Sequence, residues 1–89
     1  MNSTQQDYIK AAALYKALRK ADPDSDETWK AFELMHAAGD QVIAMAEFAI
    51  RTTDPERFRQ IAMCFTPKAA RNPSHRKKLI EICMSLETD

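Results

Sequence analysis

Every proline in this sequence follows a residue that caps helices well. The four pairs are Asp22-Pro23, Asp54-Pro55, Thr66-Pro67 and Asn72-Pro73. Proline suits the first position of a helix, because its missing N–H would have no partner there anyway. The prolines therefore predict four helix starts rather than four breaks. With a single glycine in 89 residues, the chain also lacks the glycine turns that β-hairpins need.

Two further caps complete the helix pattern. Ser3, with Gln6 three residues later, has the form of a capping box. Asp40 is a candidate N-cap, and Gly39 before it is a candidate C′ residue of the preceding helix. We therefore expect a single turn over 66–71 and helices over about 4–20, 23–38, 42–50, 55–65 and 73–86.

The third of these helices, over residues 42–50, is the most apolar stretch of the chain. Eight of its nine side chains are apolar, and only Glu47 is charged. A surface helix would carry polar residues on one whole face, so this stretch predicts a helix surrounded by other helices. Short connections favour antiparallel neighbours. The predicted fold is one all-α domain over 1–89, a small bundle of about five helices in successive antiparallel helical hairpins around a buried central helix.

The spacing of apolar residues predicts the inward face of each flanking helix. Helix 1 carries one stripe of tyrosine and aliphatic residues. Helix 2 carries mainly aromatic residues on its inward side, and helices 4 and 5 carry one apolar row each. The residues of these faces are, in chain order, Tyr8, Ala11, Tyr15 and Leu18 with Leu14 and Ala21 at the margins; Trp29, Phe32, Met35 and His36; Phe58, Ile61, Ala62 and Phe65; and Leu79, Ile82, Cys83 and Leu86.

An internal repeat links residues 17–24 with residues 49–56, at an offset near the period of helix-turn-helix repeats. Around the second copy the chain resembles a tetratricopeptide repeat over about half its length. The residues that carry the resemblance are Trp29, Gly39, Ala44, Phe48 and Pro55, with Ala11, Tyr15, Leu18 and Pro23 as a matching second-helix half. The usual Leu-Gly pair is replaced by Phe32-Glu33. The resemblance implies a scaffold that binds proteins or peptides; the alternative is an ordinary small helical bundle.

Composition excludes several classes of protein. Thirteen basic and thirteen acidic residues balance to a net charge of zero, unlike a protein that binds DNA by bulk electrostatics. No run of 18 apolar residues is present, so we expect no membrane span, and the N-terminus lacks the features of a signal peptide. Cys64 and Cys83 stand 19 apart in no CxxC arrangement. We therefore expect reduced, buried thiols in a cytoplasmic protein.

No constellation predicts catalysis or a cofactor. His36, His75, Cys64 and Cys83 are zinc-ligating residue types, but no two of them form the close pair typical of a structural site. Neither cysteine has the local context of an activated nucleophile, and one glycine cannot form a phosphate-binding loop. We expect no metal, no cofactor and no enzymatic activity. A DNA-binding helix-turn-helix over helices 3 and 4 is disfavoured because helix 3 is too apolar to cross a phosphate backbone.

The most informative polar feature is a basic segment over 68–78. Positive charge in the first turns of a helix opposes the helix dipole, and a bound phosphate or partner carboxylate would relieve that cost. The alternative is a solvated cluster balanced by Glu81 and by the acidic start of helix 2. The candidate binding residues are Lys68, Arg71, His75, Arg76, Lys77 and Lys78.

These features favour a non-enzymatic protein–protein interaction module: an adaptor, chaperone-like or inhibitory accessory protein, of a size that phages and plasmids encode. The alternative is a small nucleic-acid-associated regulator that uses the basic segment. Ile80 and Met84 form a second apolar edge on the last helix, for which we expect either a homodimer or an exposed partner site. A protein is the favoured partner, and nucleic acid is the less favoured one.

Overall fold

A computed structural model describes residues 3–85 of the chain. Over that range it contains five α-helices, one 3₁₀ turn and no strand, as the sequence predicts for a small all-α bundle. The elements are α1 (Ser3–Ala21), α2 (Asp26–Thr53), α3 (Pro55–Ile61), the 3₁₀ turn (Ala62–Phe65), α4 (Pro67–Arg71) and α5 (Pro73–Ser85). None of the helices within 3–85 is both long and apolar enough to cross a membrane.

The chain divides into two compact units between Gln41 and Val42. The N-terminal unit consists of α1 and the first part of α2. The C-terminal unit consists of the rest of α2, α3, the 3₁₀ turn, α4 and α5. Because α2 belongs to both units, the expectation of one domain over 1–89 stays a prediction.

Three of the four cap–proline pairs begin helices as predicted. The side chain of Asp54 accepts a hydrogen bond from the Arg57 N–H at 3.1 Å, and Thr66 accepts one from Ala69 at 3.2 Å. Asn72 Oδ1 accepts from the N–H groups of Ser74 and His75, at 3.1 and 3.3 Å. Each bond satisfies a backbone donor that the first turn of a helix leaves without a partner.

The fourth pair, Asp22-Pro23, was expected to begin helix 2, and that prediction is wrong. Residues 22–25 form the turn between α1 and α2, in which Asp22 Oδ1 accepts from the Asp24 N–H at 3.3 Å. The N-cap of α2 is Ser25, whose Oγ accepts from the Thr28 N–H at 3.1 Å. Thr28 is buried, and its hydroxyl donates to the Asp22 carbonyl at 2.5 Å, so the turn and the helix start are bonded together.

The predicted break at Gly39 and Asp40 is absent, because α2 runs without interruption for 28 residues. Gly39 is buried and its φ is not positive, so it is an ordinary helical residue and not a C′ residue. Asp40 does not cap a helix; its Oδ2 lies 3.7 Å from Nδ1 of His36, one turn earlier. A glycine inside a helix lowers the stability of the helix by about 1 kcal/mol relative to alanine. That cost does not interrupt the 28-residue helix here.

The apolar stretch over 42–50 is buried on one face only, which corrects the prediction of a helix surrounded on most sides. The buried residues are Val42, Ile43, Ala46 and Ile50. Ala44, Met45 and Phe48 are exposed, and Phe48 retains 68% of its surface. The buried positions follow the i, i+1, i+4, i+8 spacing of a single helix face.

The predicted stripe of α1 is half-buried along its length, as Tyr8, Ala11, Tyr15 and Leu18 show. Its predicted margins are wrong, because Leu14 and Ala21 are exposed. The Tyr15 ring meets the Phe32 ring at 5.4 Å between centroids, and this contact packs α1 against α2 within the N-terminal unit.

In the C-terminal unit, the predicted row on helix 4 is half-buried, but its second half is the 3₁₀ turn. Phe58 and Phe65 lie 6.0 Å apart between ring centroids, and the Arg51 guanidinium lies 4.9 Å above the Phe58 ring. The predicted row on α5 is partly wrong, since Ile82 is exposed while Leu79 and Cys83 are buried. Leu86 lies outside the described residues.

Candidate functional site

The basic segment lies on α4 and α5, and four of its six predicted residues are exposed. Within residues 3–85, none of these four has a side chain that forms a hydrogen bond or an ion pair with another described residue. They are Lys68, Arg71, Lys77 and Lys78. Residues 57–80 hold seven Lys and Arg and no Asp or Glu, and Glu81 follows one turn after Lys77 and Lys78 on α5.

The other two predicted residues are bound into the fold. His75 is half-buried, and its Nε2 lies 3.2 Å from the carbonyl oxygen of Cys64 in the 3₁₀ turn. Arg76 is half-buried and has an interaction with another residue. Lys77 and Lys78 follow in the second turn of α5, where the helix dipole acts only weakly. The predicted dipole strain therefore falls mainly on His75 and Arg76, which the fold already engages.

The apolar edge predicted from Ile80 and Met84 does not lie at the surface. Ile80 retains 6% of its surface and belongs to the core, and Met84 is half-buried. The exposed apolar residue of α5 is Ile82 instead. Two neighbouring positions, Leu79 and Ile80, both turn inward because they lie on either side of the centre of the buried face.

The two cysteines are free thiols, and they differ in exposure. Cys83 retains 1% of its surface, and burial raises the pKa of its thiol to about 11. Since the thiolate is the nucleophile, burial and the raised pKa both disfavour reaction of Cys83 at neutral pH. Cys64 is half-buried rather than buried. Within residues 3–85, no three His, Cys, Asp or Glu side chains are grouped so that they could hold a metal ion.

A second surface was not predicted from the sequence. On the N-terminal unit, the Trp29 ring stacks on Phe32 with 5.6 Å between centroids and 25° between planes. Phe32 also meets Tyr15 from α1 at 5.4 Å and His36 at 5.9 Å. We call these four residues the aromatic face. Trp29 is its outermost member and retains 64% of its surface.

Acidic side chains border the aromatic face. Asp26 and Glu33 lie three residues before and four residues after Trp29, and these helical spacings make them its neighbours on the surface of α2. Both are exposed, and neither has a hydrogen bond or an ion pair with another described residue through its side chain. Asp40 lies one turn beyond His36 at the other end of the face.

Sequence reasoning placed Trp29, Phe32, Met35 and His36 on the inward side of helix 2, and for Trp29 and His36 this is wrong. The fully buried residues of α2 in this unit are small, namely Thr28, Ala31 and Gly39, whereas Phe32 and Met35 are half-buried. Small side chains let two helices approach closely, and Thr28 is buried among them although it is polar. The row of Thr, Ala and Gly was the signal in the sequence that indicated this.

Comparison of the chain with family models, with curated proteins and with solved structures finds no match. The resemblance to a tetratricopeptide repeat therefore stays a prediction.

Proposed function

We propose that this protein is a non-enzymatic protein–protein interaction module, and that the aromatic face is where a partner protein binds. It would act in the cytoplasm as an adaptor, a chaperone-like protein or an inhibitor. A partner that covered the face would bury Trp29 against a platform that Phe32, Tyr15 and His36 already hold in place.

The observation that carries this proposal is the exposed, stacked Trp29. Tryptophan and tyrosine are the residues most enriched among those that dominate binding energy at protein interfaces. A large aromatic ring that is held by a neighbouring ring loses little conformational freedom when a partner covers it. Trp29 contributes little to the protein's own core, so its apolar surface is available to a partner.

Affinity capture from the native cell, with wild type and a Trp29→Ala variant compared by mass spectrometry, tests this proposal. We expect proteins that co-purify with wild type to be lost with Trp29→Ala, by tenfold or more, since such residues contribute about 2 kcal/mol or more. Met63→Ala is the matched control, because Met63 is an apolar residue with 83% of its surface exposed outside the aromatic face. Equal loss with both variants, or no loss with either, would contradict the proposal.

A second candidate function is that of a small nucleic-acid-associated regulator. The observation that favours it is the run of seven cations without a carboxylate over residues 57–80, with Lys68, Arg71, Lys77 and Lys78 exposed. Nuclease treatment before the same capture separates the two functions. Proteins bridged by nucleic acid would disappear after nuclease and at raised salt, because neutralised phosphates release counterions on binding. Proteins bound at the aromatic face would remain.

A further inference from the structure

We infer that the aromatic face receives an arginine side chain of its partner protein, which stacks on Trp29 between Asp26 and Glu33. This inference rests on the proposed function and names the chemistry of the partner. It follows from the free face of the Trp29 ring, from the sign of the charge around it, and from the geometry of the guanidinium group.

The first step is the state of the Trp29 ring. Phe32 stacks on the ring nearly in parallel, and Trp29 still retains 64% of its surface. Within residues 3–85 no cation lies over Trp29, whereas Phe58 is covered by the Arg51 guanidinium at 4.9 Å. The protein thus pairs an arginine with a phenylalanine in its C-terminal unit and leaves its only tryptophan, the best ring for a cation, without one.

The second step is the charge around the ring. Residues 22–33 hold five carboxylates and one lysine, and all five acids are exposed. Asp26 and Glu27 lie in the first turn of α2, where they stabilise the helix dipole. Glu33 lies two turns into the helix, beyond the reach of that effect, and forms no ion pair with a described residue. A cationic partner would give Glu33 the counter-charge that the described chain does not supply.

The third step is the choice between arginine and lysine. A guanidinium is planar, so it can stack on an indole ring while its edge donates hydrogen bonds to carboxylates on either side. The flanking positions of Asp26 and Glu33 suit that arrangement. A lysine ammonium is more strongly hydrated and is not planar. It would therefore interact more weakly with the indole ring and could not bind both carboxylates from a stacked position.

The single tryptophan provides a direct test, because the fluorescence of the intact protein reports on this ring alone. The probe is an acetylated, amidated Arg-Gly-Arg-Gly-Arg peptide. The matched control is the same peptide with citrulline, an uncharged analogue of arginine, at each Arg position. We expect the arginine peptide to change the Trp29 emission in a saturable way with a dissociation constant near or below ~1 mM, and citrulline to have no effect.

Variants then locate the interaction. The double variant Asp26→Asn, Glu33→Gln should weaken binding of the arginine peptide by about fivefold or more, while Glu56→Gln, an exposed acid of the C-terminal unit, should not change it. Trp29→Leu should abolish binding measured by calorimetry. Because the substituted side chains are all exposed, we expect each variant to fold, and a circular dichroism spectrum checks this.

Equal effects of the arginine and citrulline peptides, or no saturable change up to ~10 mM peptide, would overturn the inference. If that happened while Trp29→Ala still lost its captured proteins, the arginine assignment would fail and the proposed function would stand. If the arginine peptide bound but capture did not depend on Trp29, the proposed function would fail, and with it the role of the site in a protein complex.

Discussion

The two units of this protein use helices in opposite ways. The C-terminal unit contains seven of the eight buried apolar residues within 3–85, and the N-terminal unit contains only Ala31. Yet each unit exposes four large apolar side chains. The N-terminal unit therefore buries fewer of its apolar residues. Its aromatic rings contact one another at the surface. The difference leaves large aromatic rings at the surface of the N-terminal unit and places most of the described core in the C-terminal unit.

The charges separate in the same way. Residues 1–41 carry seven acids and five bases, a net charge of −2, and residues 42–89 carry six acids and eight bases, a net charge of +2. The net charge of zero is therefore the sum of two units whose net charges have opposite signs. Because ion pairs at a surface contribute little to stability, we expect this separation to have little effect on folding; under the proposed function it would bear on the choice of partner.

The largest expected effect concerns the core of the C-terminal unit. Ala46 retains 1% of its surface, so Ala46→Asp places an unpaired charge in the core. Its cost of several kcal/mol rivals the roughly 5 kcal/mol that stabilises a domain of this size, and we expect the variant to be unfolded at 25 °C. The measurement is a thermal melt followed by circular dichroism.

Ala44→Asp is the matched control, because Ala44 lies two residues away on the exposed side of α2. We expect its melting temperature to stay within a few degrees of wild type, since substitutions at exposed positions rarely exceed about 0.5 kcal/mol. Similar melts for the two variants would contradict the assignment of one buried face to α2.

An intermediate effect distinguishes how the two units begin their helices. Ser25→Ala and Asp54→Ala each remove a side-chain cap, and each should lower the free energy of unfolding by about 1 kcal/mol in urea denaturation. Asp22→Ala should cost less than about 0.5 kcal/mol, because Asp22 makes only an exposed turn bond. A cost for Asp22→Ala equal to that for Ser25→Ala would restore Asp22-Pro23 as the start of the helix.

Helix class and most helix starts could be predicted from the sequence because they depend on short-range chemistry. A cap and a proline act on the next three residues, and at Asp54, Thr66 and Asn72 nothing overrides them. At Asp22 this does not hold, because Ser25 caps the helix three residues later. Its hydroxyl accepts from the Thr28 N–H and is also hydrogen-bonded to the Thr28 hydroxyl. That competition depends on the burial of Thr28, which is a tertiary property.

The orientation of α2 could not be predicted, for a related reason. Where nearly every residue is apolar, as over 42–50, periodicity cannot show which side faces inward. Near Trp29 the large rings imply an inward face, but the fully buried residues are the small Ala31 and Gly39, and Trp29 is exposed. Of the candidate site, the exposure of four basic residues was predictable from their charge. The aromatic face was not, because aromatic residues are assigned to a core by default.

The smallest expected effect concerns the basic segment. Lys77→Glu, Lys78→Glu reverses two exposed charges that have no partner among the described residues. Acids there gain slightly from the dipole of α5 and lose slightly by repulsion from Glu81, and each contribution is about 0.3 kcal/mol. The free energy of unfolding in urea should therefore change by less than about 0.5 kcal/mol.

The change in free energy of unfolding caused by His75→Ala, in the same segment, is the reference with which the double lysine variant is compared. It removes the bond between His75 Nε2 and the Cys64 carbonyl, and we expect it to cost about 1 kcal/mol. If the charge reversal cost as much as His75→Ala, the two lysines would be structural, paired with acids of the protein itself. If it cost nothing, their positive charge would serve no purpose within the fold. If the variant were as stable as wild type and also lost the proteins that are captured through nucleic acid, the two lysines would be assigned to binding a ligand.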